Sequence, residues 1–200
     1  MQEILPGIWT WSVFNQDREM NFNGHLVAND EGCVLIDPPP MSEQDAAQVE
    51  KLGPPIDVVV TNRHHTRDAM APAARWRSRI LLHEADSRAI PDSVRLGGIY
   101  HDGDRLPSGL LVIALSHQKS PGESALLCKS ANALILGDAL IGKPAGSLNL
   151  LPAEKYPDAA LAREGIRRLL DFPFDSVLVG DGASILRGGR AAIEAFLARA

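Results

Sequence analysis

The chain has 200 residues, with 20 Lys and Arg against 25 Asp and Glu, a formal net charge of -5 and 45% hydrophobic residues. This acidic balance argues against a nucleic-acid partner, because phosphate binding needs a clustered basic surface, and no apolar run approaches the roughly 18 residues that cross a bilayer. The N-terminal Met1-Gln2-Glu3 has an acid where a signal peptide has positive charges, so we expect a cytoplasmic protein without a membrane partner.

The first half of the chain shows short strands followed by alternating helices and strands. Alternating and apolar runs between residues 8 and 36 predict a meander of strands. Pro38-Pro39-Pro40 ends the meander, and an amphipathic pattern over 43–52 predicts a helix. A continuous apolar run at 56–60 is typical of a buried strand, and the polar loop 61–68 follows it.

The rest of the chain continues with the same types of element. Its predicted segments, in chain order, are a helix at 69–77, strands at 80–82, 110–115, 124–128 and 134–136, a helix at 157–170, a strand at 176–179 and a helix at 189–199. Strands, helix, strand and helix therefore occur in each half, an order that suits two packed sheets with helices outside. The sequence predicts a single α/β (α+β) domain over residues 1–200.

Polar residues directly follow several predicted strands. Side chains held there by rigid strands are where binding and catalytic sites are commonly built. The first of them, Asp37, is expected to anchor backbone N–H groups at its strand end. The polar segments at strand ends are Asp37, 61–68, 116–123, 137–138 and 180–182.

Taken with their order and spacing, these loops resemble the metallo-beta-lactamase fold superfamily over nearly the whole chain. The resemblance implies a four-layer αβ/βα sandwich, with two mixed sheets face to face and the helices near 43–52, 157–170 and 189–199 outside. It also implies that the loops converge on one edge of the sandwich, where family members hold two metal ions. The stretches that carry the resemblance are Val34-Leu35-Ile36-Asp37, His101-Asp102-Gly103-Asp104-Arg105-Leu106, Ser120-Pro121-Gly122, Leu136-Gly137-Asp138-Ala139-Leu140 and Gly180-Asp181-Gly182.

The metal-binding loop of that family is altered in this chain. Family members carry a Thr-His-x-His-x-Asp-His loop, and here Thr61 matches its Thr and His64 its second His. Asn62 stands at the first His, Thr66 at the Asp and Arg67 at the last His. One metal ligand of the family's loop is therefore retained.

Three further positions complete the comparison with that pattern. Lys119 stands at the His of the family's Gly-His-Thr-Pro-Gly turn, Asp138 keeps the bridging carboxylate, and Asp181 replaces the His of the late Gly-His-Gly. His64, Asp138 and Asp181 would be the ligands of a single weakly held zinc or other divalent metal ion, if one is bound. Arg67 and Lys119 bring positive charge where a cation would lie, so we predict that the chain has no metal cofactor.

Other side chains in these loops leave alternatives open. A slip of the loop by one residue would bring in His65 and Asp68 as ligands, and His117 is a substitute close to Lys119. Without the family resemblance, His64 and His65 are more typical of loop histidines hydrogen-bonded to backbone than of metal ligands.

Two function classes follow from the resemblance and the departures from it. The first is a hydrolase of an ester, thioester, lactone or phosphoester, in which a metal-bound water attacks the substrate. The second, which we predict, is a non-catalytic protein whose partner is a small anionic metabolite. The residues expected to bind this ligand are Asn62, Thr66, Arg67 and Lys119.

Arg67 and Lys119 are further expected to pair with Asp138 and Asp181. Such ion pairs would balance the charge of the pocket without a metal, because a buried carboxylate without a counter-charge is unfavourable. A metal-free enzyme with Asp138 or Asp181 as general base stays open as a third hypothesis. The sequence does not predict an oligomeric state.

Overall fold

The computed structural model describes residues 1–199, except for the side chain of Arg67. In that part of the chain the α-helices are α1 (Glu43–Leu52), α2 (Thr66–Trp76), α3 (Ala159–Ile166) and α4 (Gly189–Ala198). No helix within residues 1–199 combines the length and the hydropathy that a membrane span requires.

The first sheet has seven strands that follow one another in chain order across the sheet. The first four strands pair antiparallel, which is the predicted meander, and the later strands join them as parallel neighbours. These strands are β1 (Gln2–Leu5), β2 (Ile8–Asn15), β3 (Met20–Asn29), β4 (Gly32–Ile36), β5 (Asp57–Val60), β6 (Arg79–His83) and β7 (Gly98–Tyr100).

The second sheet is built from the second half of the chain. Its strands are β8 (Arg105–Leu106), β9 (Leu110–Ala114), β10 (Ser124–Cys128), β11 (Ala133–Leu136) and β12 (Ser176–Val179). They lie in the order β12-β11-β10-β9-β8, and only the β11–β12 pair is parallel among these described strands. Both sheets are therefore mixed, as predicted.

Three apolar clusters hold four layers together. The central cluster joins the inner faces of the two sheets, with Val34 from the first and Leu126 from the second. A second cluster packs α1 and α2 on the outer face of the first sheet through Val49 and Ala69. A third includes Ile193 of α4 and covers the outer face of the second sheet. The predicted α/β (α+β) four-layer αβ/βα sandwich is confirmed.

Two of the α-helices, α1 and α3, begin where a side chain satisfies their first free N–H groups. Ser42 accepts a hydrogen bond from the Asp45 amide at 3.1 Å, so α1 begins at the predicted residue. Asp158 accepts from the amides of Ala160 and Leu161, which places the start of α3 after Pro157. The α-helix is therefore shorter than the predicted 157–170 and ends at Ile166. Residues 167–171 continue it as a tighter 3₁₀ turn.

Candidate functional site

A cavity of about 350 Å³ opens at the edge where the carboxyl ends of β4, β5, β11 and β12 meet. Residues from the loops that follow these strands line it, so the predicted convergence of the polar loops is present in the structure. Met20, Phe22, Pro38, Pro39 and Leu151 form its apolar walls. Its charged or titratable side chains are Arg18, Asp37, His64, His65, Asp68, Lys119, Asp138, Lys155 and Asp181.

Asp37 anchors the first wall of this cavity. It follows β4, and its carboxylate accepts hydrogen bonds from the backbone amide of Thr61 at 2.8 Å and from the Thr61 hydroxyl at 2.5 Å. The predicted role of Asp37 as a backbone anchor at a strand end is confirmed. Gly137 allows this arrangement, because a Cβ atom at its position would overlap the Thr61 hydroxyl.

His65 connects two carboxylates at the centre of the site. Its Nδ1 lies 3.0 Å from Asp37 Oδ2, and its Nε2 lies 3.4 Å from Asp138 Oδ1. Burial opposes protonation of the imidazole, but the charges of Asp37 and Asp138 outweigh it and hold the pKa of His65 well above its usual value. The two carboxylates therefore favour the protonated form of His65.

Lys119 supplies a second cation to the same carboxylate. Its Nζ donates a hydrogen bond to Asp138 Oδ2 at 2.6 Å, which is the predicted contact between these two residues. Burial favours the neutral carboxyl, but His65 and Lys119 together hold the pKa of Asp138 well below its usual range. Both oxygens of Asp138 thus face a positive charge from the protein itself.

Of the other predicted ion pairs, the one between Lys119 and Asp181 needs correction, whereas those of Arg67 stay predictions. The second cation at Asp138 is His65, which the sequence offered only as a substitute ligand, and Lys119 is not within ion-pair distance of Asp181. The side chain of Arg67, the other predicted cation, lies outside the described part of the structure.

Asp181 stays without a partner among the residues that the structure describes. It follows β12, is partly buried and lines the cavity, yet its carboxylate makes no hydrogen bond or ion pair with them. Burial raises the pKa of Asp181 to about 6, and the Asp138 charge adds to this shift. It is a carboxylate that a ligand can reach.

A fully buried glutamate lies behind the site and was not predicted. Glu123 accepts a hydrogen bond from the backbone amide of Asp138 at 3.0 Å. Burial, assisted by the Asp138 charge, raises the pKa of the Glu123 carboxyl well above its usual range. An acid immediately before the apolar run of β10 is the sequence signal that could have indicated it.

Several residues predicted from motif positions do not face the cavity. Asn62 is fully buried and accepts a hydrogen bond from the His64 amide at 2.9 Å, while Thr66 donates to the Arg63 carbonyl at 2.9 Å. Neither is among the described residues that line the cavity, and His117 is exposed outside it. These hydrogen bonds of Asn62 and Thr66 are local, and the binding role of both residues stays a prediction.

The residues present do not fit the metal centre that the family resemblance implies. His64, Asp138 and Asp181 line one cavity, but both carboxylate oxygens of Asp138 already contact side chains of the protein, those of His65 and Lys119. Within the described side chains, no group of three or more His, Cys, Asp or Glu could hold a metal ion. Partial burial and the neighbouring Lys119 charge lower the pKa of His64, which favours its neutral imidazole, the form that can bind a metal ion.

Comparisons with known proteins are consistent with this fold. The sequence model of the metallo-beta-lactamase superfamily matches residues 3–199. Among solved structures, TTHA1623 in a di-iron-bound form is 26% identical, with 92% of this chain and 96% of that chain covered and a TM-score of 0.68. No match is found among the curated proteins.

Two further structures show the same fold at lower identity. A metallo-beta-lactamase from Pontibacter korlensis is 17% identical, with 96% of this chain and 97% of that chain covered and a TM-score of 0.74. A metallo-beta-lactamase from Erythrobacter litoralis is 15% identical, with 98% of this chain and 89% of that chain covered and a TM-score of 0.72. At this level of identity the likeness concerns the fold alone.

Proposed function

The chain belongs to the metallo-beta-lactamase superfamily, and we propose that it is a non-catalytic member in which protein cations replace the metal centre and the cavity binds a small organic anion. The observation that carries this proposal is the pair of positive charges on Asp138, from Lys119 at 2.6 Å and His65 at 3.4 Å. A metal ion would have to displace at least one of these cations from Asp138. TTHA1623 binds two iron ions, and in this chain we infer that Lys119 and His65 balance the retained carboxylate instead.

The binding of an anion is supported by the cations that remain after these pairs are formed. Arg18 and Lys155 line the cavity, are exposed, and make no ion pair with the residues that the structure describes. Arg offers a planar fork of donors, and Lys a mobile point charge, to a carboxylate or phosphate. They lie beside an apolar wall that includes Met20 and Leu151. A small carboxylate with an aliphatic body suits this combination.

We expect replacement of Lys155 with Ala to weaken the binding of 4-methylpentanoate about fivefold, because an exposed charge pair contributes up to about 1 kcal/mol. Arg18→Ala should have a similar effect. The measurement is isothermal titration calorimetry at low ionic strength with the purified full chain.

Lys51 provides a matched control for that experiment. It is an exposed lysine in the last turn of α1 and does not line the cavity, so Lys51→Ala should leave the affinity unchanged. Absence of saturable binding to the unaltered protein, or an equal loss in Lys51→Ala and Lys155→Ala, would show that the cavity does not select anions.

A hydrolase of an ester, thioester, lactone or phosphoester with a single metal at His64, Asp138 and Asp181 is the alternative. It requires Asp138 to release Lys119 or His65 before it can bind a metal ion. The contacts of Asp138 therefore favour an anion-binding protein over a metal-dependent hydrolase. Its location in the cytoplasm stays a prediction.

A further inference from the structure

We propose that the ligand of this cavity is a zwitterion, a small molecule with a carboxylate and an ammonium group such as an α-amino acid with an aliphatic side chain. This inference rests on the proposed function, because it assigns the bound anion to the carboxylate of that molecule. It adds a second recognition element, Asp181, for the ammonium group.

The charges that stay unpaired around the cavity have both signs. Asp37 lies within ion-pair distance of His65, and Asp138 within ion-pair distance of His65 and Lys119. The charged side chains that line the cavity without a partner among the described residues are Arg18, Lys155 and Asp181. Among the side chains that the structure describes, a simple anion would satisfy only the two cations and would leave Asp181 without an ion pair.

The unpaired groups occupy different depths of the cavity. Asp181 follows β12 and is hydrogen-bonded through its backbone to Gly142, and it lies opposite Phe22 in a β-bridge, so it belongs to the rigid and partly buried wall. Arg18 lies in the turn between β2 and β3, and Lys155 in a 3₁₀ turn; both are exposed. The ammonium group therefore points inward and the carboxylate points toward solvent.

The partly buried carboxylate of Asp181 gives the ammonium group its binding energy. A carboxylate that is removed from water without a partner is unfavourable, and an opposite charge from a ligand relieves this cost. Charge-assisted hydrogen bonds of this kind are about twice as strong as neutral ones.

The size and walls of the cavity limit the ligand to a small aliphatic molecule. A volume of about 350 Å³ is near the lower end of ligand pockets, which span roughly 300–1,000 Å³. Met20, Phe22 and Leu151 offer apolar contacts for a short side chain. Larger ligands such as nucleotides are poorly matched to this space.

Three probes of nearly equal shape separate the two recognition elements. L-Leucine carries both charged groups, 4-methylpentanoate lacks the ammonium group, and 3-methylbutylamine lacks the carboxylate. We expect L-leucine to bind about tenfold more tightly than either single-charge probe in calorimetric titrations of the full chain. Asp181→Asn should remove this advantage over 4-methylpentanoate while leaving the affinity for 4-methylpentanoate the same or higher.

Asp30→Asn is the matched control, because Asp30 is an exposed turn residue outside the cavity, and it should keep the preference for L-leucine. Equal affinities of L-leucine and 4-methylpentanoate in the unaltered protein would overturn this inference. So would an unchanged preference in Asp181→Asn. If Asp181→Asn does not fold, the three probes with the unaltered protein decide alone.

The outcomes also separate this inference from the proposed function. If 4-methylpentanoate binds in a Lys155-dependent manner but L-leucine binds no more tightly, the anion-binding function stands and the zwitterion inference fails. If neither 4-methylpentanoate nor L-leucine binds, both fail.

Discussion

The replacement of His65 with Ala is expected to lower the free energy of unfolding by about 3 kcal/mol, because removal of one partner from buried ion pairs typically costs about 3–5 kcal/mol. Asp37 and Asp138 are 3% and 6% exposed in their side chains, and His65 lies between them. Asp138 keeps Lys119 after this change, which places the loss at the lower end of that range. Urea unfolding curves of both proteins give the difference directly.

The pH of that experiment follows from the direction of the pKa shift. The folded-state pKa of His65 is raised, so its stabilisation is complete below the unfolded value of about 6.5 and is lost as the pH rises through the folded value. We therefore choose pH 6. His64→Ala is the matched control, because His64 is exposed and its loss should change stability by less than about 0.5 kcal/mol. Equal effects of His64→Ala and His65→Ala would contradict the role given to His65.

The second large effect is expected from the Lys119–Asp138 pair. Lys119→Ala should lower the free energy of unfolding by about 2 kcal/mol, less than for a fully buried pair, because the Lys119 side chain is 23% exposed. In an Asp138→Asn background the same change should cost less than about 0.5 kcal/mol, because the partner is already neutral. The difference between the two costs is the coupling energy of the pair, obtained from four urea unfolding curves.

Asp181 supplies the control for this double-mutant cycle. It lines the same cavity but is not within ion-pair distance of Lys119, so Lys119→Ala should cost nearly the same with and without Asp181→Asn. A coupling energy near zero for Asp138 would show that Lys119 is an ordinary surface residue, whatever the result for Asp181.

Most of the architecture could be predicted from the sequence, because apolar patterns and helix caps are local signals. The helix over 43–52 begins and ends as predicted, since Ser42 and Gly53 limit it by their own chemistry. The ends of the helix over 157–170 could not be predicted, because its last turn tightens to 3₁₀ geometry without a distinct sequence pattern. The short helix predicted at 69–77 starts earlier, at Thr66.

The side chains of the site were harder to predict than the loops that carry them. Lys119 and Asp138 could be found, because each has a defined place relative to a turn or a strand end. The roles of His64 and His65 depend on the 3₁₀ turn that Asn62 begins. Adjacent residues in a 3₁₀ turn differ in direction by about 120°, so sequence matching alone cannot decide which histidine lies between the carboxylates.

The two unpaired cations of the cavity had no sequence signal. Arg18 and Lys155 lie in exposed turns, outside the polar loops that follow the strands. A surface cation in a turn looks the same in sequence whether it lines a cavity or faces solvent. Their place at the cavity became visible only when the fold brought β3, β12 and the turn at 153–155 together.

The most direct test of the central claim, that Lys119 and His65 replace the metal centre, is the metal content of the protein. The chain is purified without chelator, incubated with excess zinc, iron or manganese, and dialysed before elemental analysis. We predict well under one metal ion per chain, because the protein's own cations already neutralise Asp138 and a ligand set reduced to His64 and Asp181 is open to competition from water. One or more ions per chain that survive dialysis would contradict the claim and favour the metal-dependent hydrolase.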